Sequence, residues 1–129
     1  MKRNILLFST LVLISYSLDK YLYPSKNEEK IHINIMHFIH HIMSNYLYFS
    51  PLFFANYRLY ILIVIIGLIY WHFNNNLCDI TLIYNREYGF DEKTRHRDII
   101  YHIEKYFNIQ YYHIFWVTVS YSLYKICKL

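Results

Sequence analysis

The chain has 129 residues, 56% hydrophobic and 21% aromatic, with a formal net charge of +4. That length points to a single domain over 1–129, and the mean hydropathy of +0.13 is held down by Tyr, His and Asn rather than by charge. Acids and bases alternate without a basic stripe, which excludes nucleic acid as a partner, and two glycines exclude a Gly-rich phosphate loop.

The charges are placed as a bilayer requires. Arg58 is the single formal charge between Ile31 and Cys78, and neither Asn4–Leu18 nor Tyr106–Tyr124 carries any. Charge collects instead in Asp19–Lys30 and Asp79–Lys105. A charge at the bilayer centre costs about 2.5–3.5 kcal/mol on insertion scales.

Ile5–Leu18 follows Met1-Lys2-Arg3-Asn4 and reads as a retained signal anchor rather than a cleaved leader. Tyr21–Tyr23 would form its interfacial belt. The second apolar segment, Ile31–Phe54, contains His32, His37, His40, His41 and Pro51. Its first half, to about Ser44, is expected to cross or to lie along the membrane. Pro51 is expected to break or kink the helix or to mark a turn, making Tyr46–Phe54 interfacial or re-entrant.

Tyr57–Phe73 is apolar on every side, as a membrane or fully buried helix must be. Arg58 can snorkel at one end, with Trp71 and His72 at the other interface. Asn74-Asn75-Asn76 supplies a polar stop. A polar, partly helical connection at about 79–105 follows, broken at Gly89. Asp91 or Thr94 could cap a helix running through Ile99, Ile100, Ile103 and Phe107 into a fourth span, Tyr106–Ile126. The expected fold is all-α, an integral membrane bundle of about four transmembrane helices, with three as the alternative. The loop-charge bias favours an outside N-terminus, whereas the signal-anchor reading favours an inside one. With both spans crossing, Cys78 and Cys127 stand roughly 30 Å apart, too far for a disulfide, whose Cα atoms lie within about 7 Å.

His37-Phe-Ile-His40-His41 is the sharpest constellation. On a helix His37 and His41 stack at i, i+4 and His40 sits one position round, so His37, His40 and His41 are the candidate metal ligands, for iron, zinc or haem. The simpler reading needs no cofactor and packs these rings at an interface or against Tyr hydroxyls. The pattern also resembles one histidine box of membrane fatty-acid desaturases and hydroxylases. Those enzymes need several boxes, and His72, His96, His102 and His113 form no second one.

A broader resemblance runs from His40-His41 through Tyr46, Ser50-Pro51-Leu52 and Trp71-His72 to Asn75-Asn76-x-Cys78-x-Ile80-Thr81. In this order the chain resembles small multi-pass membrane proteins of large DNA viruses and their relatives, which have no established activity. The resemblance covers about a third of the chain. It implies a membrane location, in a host endomembrane or virion membrane, and agrees with an AT-biased codon usage inferred from abundant Ile, Asn, Tyr and Lys. It carries over no site residue.

Asn75, Asn76, Cys78 and Thr81 lie where a helix leaves the bilayer. They can serve its unpaired end groups or join His40, His41 and His72 in a polar cluster facing a cavity. Two functions follow. The favoured one is a non-enzymatic membrane component, structural, scaffold or pore-forming, whose partners are the bilayer and a homo-oligomer or other membrane proteins. The alternative is a histidine-based membrane metal or haem enzyme or redox carrier.

Overall fold

The computed structural model describes residues 2–74 and 78–128. Among these the chain is all-α, with six helices and no strand: α1 Lys2–Leu22, α2 Ile31–Phe53, α3 Tyr57–Phe73, α4 Asp79–Tyr88, α5 Ile99–Phe107 and α6 Tyr111–Cys127. Helix α2 is central and packs against α1, α3, α4 and α6.

Local chemistry sets the boundaries. Asn56 Oδ1 accepts from the Leu59 amide to start α3. Gly89, at φ 75°, closes α4 in the left-handed region. An added Cβ there would lie 3.2 Å from Lys26 Cβ, because the α1–α2 connection is laid on this end of α4. Lys26 N donates to Tyr88 O at 3.0 Å, and Asn27 Nδ2 donates to Glu87 O at 2.8 Å.

Three expectations are corrected. Helix α2 continues through Pro51 to Phe53 rather than breaking there. Pro51 has no amide to give the Leu47 carbonyl, and the Tyr60 hydroxyl donates to that carbonyl instead, at 2.8 Å. The helix after Gly89 is capped by Asp98, whose Oδ1 accepts from the Tyr101 amide at 2.9 Å, rather than by Asp91 or Thr94. It also stops short of the last apolar segment: Asn108 at φ 55° ends α5, so α5 and α6 are separate.

One helix among those described, α1, is long and apolar enough to cross a membrane by length and composition. Helix α3 is apolar but has only 17 residues, and the histidines and Asn45 of α2 dilute its apolar character. Both cysteines are free thiols.

Polarity is arranged inside out. Ser15, Asp19, His37, His41, Asn45 and Ser122 are buried to 1% exposure or less, while Leu6 is 67% exposed, Ile66 58% and Val117 70%. Two small apolar clusters complete the interior: Ile33, Tyr84 and Tyr88 at one end, and Tyr60, Val64 and Val119 between α3 and α6.

Candidate metal centre

On α1 the buried residues Phe8, Val12, Ser15 and Asp19 follow one another at steps of four, three and four, one face of a 3.6-residue helix. On α2 the same spacing buries Ile33, His37, His41, Ser44 and Tyr48. These two stripes meet, so that Asp19 faces His37 and His41 and Ser15 sits beside His41. His96 arrives from the segment between α4 and α5. That segment is pinned by Asn85 Nδ2, which donates to Thr94 O at 2.7 Å, and by the Ile99 amide, which donates to Ser15 Oγ at 3.0 Å.

Asp19, His37, His41 and His96 each offer one donor atom, and all four atoms lie within 4.8 Å of one another. Asp19 Oδ2 stands 2.9 Å from His37 Nε2 and 3.4 Å from His41 Nε2, and the two Nε2 atoms are 3.2 Å apart. A tetrahedral zinc shell with bonds of about 2.0–2.1 Å has edges of about 3.3 Å. Three of the four donors are already at that spacing. Asp19 Oδ2 is buried and has no hydrogen-bond partner despite its close neighbours, and His96 Nε2 is likewise buried and unpartnered. A cation would satisfy Asp19 Oδ2 and His96 Nε2 and take the place of the proton shared between His37 Nε2 and His41 Nε2.

The supporting contacts fit the same chemistry. His41 Nδ1 lies 2.9 Å from Ser15 Oγ. With Nδ1–H donating to that oxygen, the Nε2 lone pair faces the other donors, the usual outer-shell orientation of a metal-bound imidazole. Asp19 Oδ1 accepts from Arg97 Nε at 3.0 Å, leaving Oδ2 for the centre. Arg97 is held between the rings of Tyr23, at 4.4 Å, and Phe90, at 4.2 Å. His37 stacks on Tyr84 at 3.7 Å. Burial, with the neighbouring imidazoles second, holds His96 well below its ordinary pKa of 6.5, so this ring is neutral as a ligand must be. Burial pushes the Asp98 carboxyl up, against the Ser44 hydroxyl and the Tyr101 amide that favour its ionised form.

The structure divides the residues singled out from sequence. His37 and His41 converge. His40 turns to the other side of α2, where it stacks on His96 at 3.9 Å and its Nδ1 meets Thr81 Oγ1 at 3.1 Å and Cys78 Sγ at 3.6 Å. Thus His40, Cys78 and Thr81 do form one polar cluster, beside the four-donor group rather than in it. His72 lies outside both, packed on Phe73, and Asn75 and Asn76 lie outside the described residues. Asp19 and His96 are the donors the sequence reading missed. A lone acid at the end of the Phe8–Ser15 stripe was the available signal for Asp19. His96 had none, because its place depends on how the connecting segment folds back.

No family model matches the chain, and no curated protein or solved structure matches it.

Proposed function

We propose that the protein is a multi-pass membrane protein whose polar interior is fastened by a divalent transition metal bound to Asp19, His37, His41 and His96. The convergence of those four donor atoms within 4.8 Å carries the reading. Three imidazoles and a carboxylate are borderline donors that suit zinc, and four protein donors fill a tetrahedral shell, as structural zinc sites do. The ligands come from α1, α2 and the α4–α5 connection, so the ion ties these three segments together.

Lipid as the surrounding solvent is supported by the inside-out polarity. Large apolar side chains are exposed along α1, α2, α3 and α6, and exposed apolar surface of this kind is unfavourable in water where it is contiguous. In this reading α1, α2, α3 and α6 are the four crossings, and α4 and α5 lie at one interface. Asp19, in the last turn of α1 beside Lys20, puts the metal near that interface. A metal-free alternative, the non-enzymatic scaffold, is favoured by the direct Ser15–His41 and Asp19–Arg97 hydrogen bonds, which join the same segments unaided.

Metal analysis of detergent-purified protein separates the two. The metal reading gives one equivalent of zinc per chain, lost in His37→Ala and His41→Ala and kept in His72→Ala. Metal-free protein that remains folded and takes up no zinc returns the function to the scaffold.

A further inference from the structure

The four donors of the metal centre are closed in on most sides. Tyr16 sets its ring against His37 and His41, each at 5.6 Å. Tyr84 stacks on His37 at 3.7 Å, and Arg97 covers Asp19. Asp19, His37 and His41 are 1% exposed or less. Of the four, His96 alone is only half-buried and lines a cavity. That cavity, of about 450 Å³, lies between α2, α3, α6 and the segment before α5. The exposed residues Glu92 and Lys93 stand at its mouth. An ion bound at the centre has its approach through this space, past His96.

The same space holds a second pair of donors. Cys78 Sγ lies 3.6 Å from His40 Nδ1, and both residues line the cavity. A thiolate–zinc bond of about 2.3 Å and an imidazole–zinc bond of about 2.0–2.1 Å, at the tetrahedral angle, put sulfur and nitrogen about 3.5–3.6 Å apart. Thr81 Oγ1, 3.1 Å from the same nitrogen, competes for it. Two donors against four, one of them contested, make this pair the weaker site, as a stage on the way in must be. Imidazoles form the onward path. The His40 ring stacks on His96 at 3.9 Å with the planes 6° apart. The His96 ring in turn lies 4.5 Å from His41 and 5.5 Å from His37.

We propose that Cys78 and His40 form a transit site that captures a divalent transition-metal ion in the cavity and passes it through His96 to Asp19, His37 and His41. The proposal rests on the metal centre proposed above and assigns its route of loading. Capture displaces the thiol proton to water, and onward transfer of the ion returns a proton to Cys78.

The test is rapid mixing of the metal-stripped full chain, in detergent, with cobalt(II), a coloured stand-in for zinc. In the wild-type protein the near-ultraviolet charge-transfer band of thiolate-bound cobalt is expected to rise first. It should then decay as the visible bands of the four-donor site grow to one equivalent. Cys78→Ser should lack the first band and load at least tenfold more slowly, yet reach the same one equivalent. Gly67 lines the cavity, and a Cβ there would meet nothing within 4 Å, so Gly67→Phe reaches into the space and should slow loading by a similar factor. His37→Ala, which lacks an end ligand, should hold the thiolate band in excess cobalt and lose it on desalting. Cys127→Ser should behave as the wild type. Loading at the wild-type rate in Cys78→Ser or Gly67→Phe, or a thiolate band that survives in Cys78→Ser, overturns the route and leaves the centre standing. Wild-type protein in which the visible bands never appear removes the centre, and the route with it.

Discussion

Asp19 Oδ2 stands 2.9 Å from His37 Nε2, with both side chains 1% exposed. A carboxylate at the end of an apolar helix has thus been placed inside the protein and given two imidazoles and a guanidinium as neighbours. Such burial is costly unless each group is matched, since an isolated charge in a low-dielectric interior is strongly disfavoured. Several consequences can be measured.

Arg97 offsets the Asp19 charge. Its Nε donates to Oδ1 while two aromatic faces hold the guanidinium plane. Removing one partner of a buried pair costs about 3–5 kcal/mol. Arg97→Ala should therefore destabilise the protein by roughly that amount in thermal or denaturant unfolding in detergent. Arg97→Lys should recover only part, because an ammonium neither lies flat between rings nor presents the same fork of donors.

Ser15 serves two groups at once, His41 Nδ1 and the Ile99 amide. Ser15→Ala leaves the four donors in place but frees the His41 ring to turn. Loss of an outer-shell partner typically lowers metal affinity 10–100-fold. Competition with a chromophoric chelator should show a loss of about that size with the helical content unchanged.

Removal of the ion should loosen the joint between α1, α2 and the α4–α5 connection. A ligand present at about 100 times its dissociation constant stabilises by about 2.7 kcal/mol. Chelation should accordingly lower the apparent Tm by about 10 °C, and added zinc should restore it. In His37→Ala the chelator should have no effect on Tm.

Tyr60 and Pro51 form a coupled pair through the Leu47 carbonyl. Tyr60→Phe leaves that carbonyl without its donor and should cost about 1–3 kcal/mol. Pro51→Ala restores an amide that can bond Leu47 within α2. In the double variant the Tyr60→Phe cost should shrink, a coupling readable in a double-mutant cycle.

These pairs also mark how far the sequence could be read. Helix α3 follows from its unbroken apolar run and ends where expected, at Tyr57 and Phe73, and Gly89 closes α4 because its backbone needs positive φ. The i, i+4 spacing of His37 and His41 was legible because helical periodicity alone puts them on one face. The break expected at Pro51 does not occur because the Leu47 carbonyl that it leaves open is served by Tyr60, a residue from another helix. The break between α5 and α6 rests on one left-handed asparagine, Asn108, in a stretch whose apolar residues otherwise continue helically. Of the two further donors, Asp19 was signalled by its place at the end of the Phe8–Ser15 stripe, whereas His96 was out of reach because it joins the group only when the connecting segment packs on α2.

The most direct measurement is X-ray absorption at the zinc edge on the purified, zinc-loaded protein. The account predicts a first shell of four nitrogen and oxygen atoms at about 2.0–2.1 Å, with the outer-shell signature of about three imidazoles that falls to two in His96→Ala. A sulfur shell at about 2.3 Å, which would bring in Cys78 or Cys127, or a spectrum unchanged by His96→Ala, would contradict it.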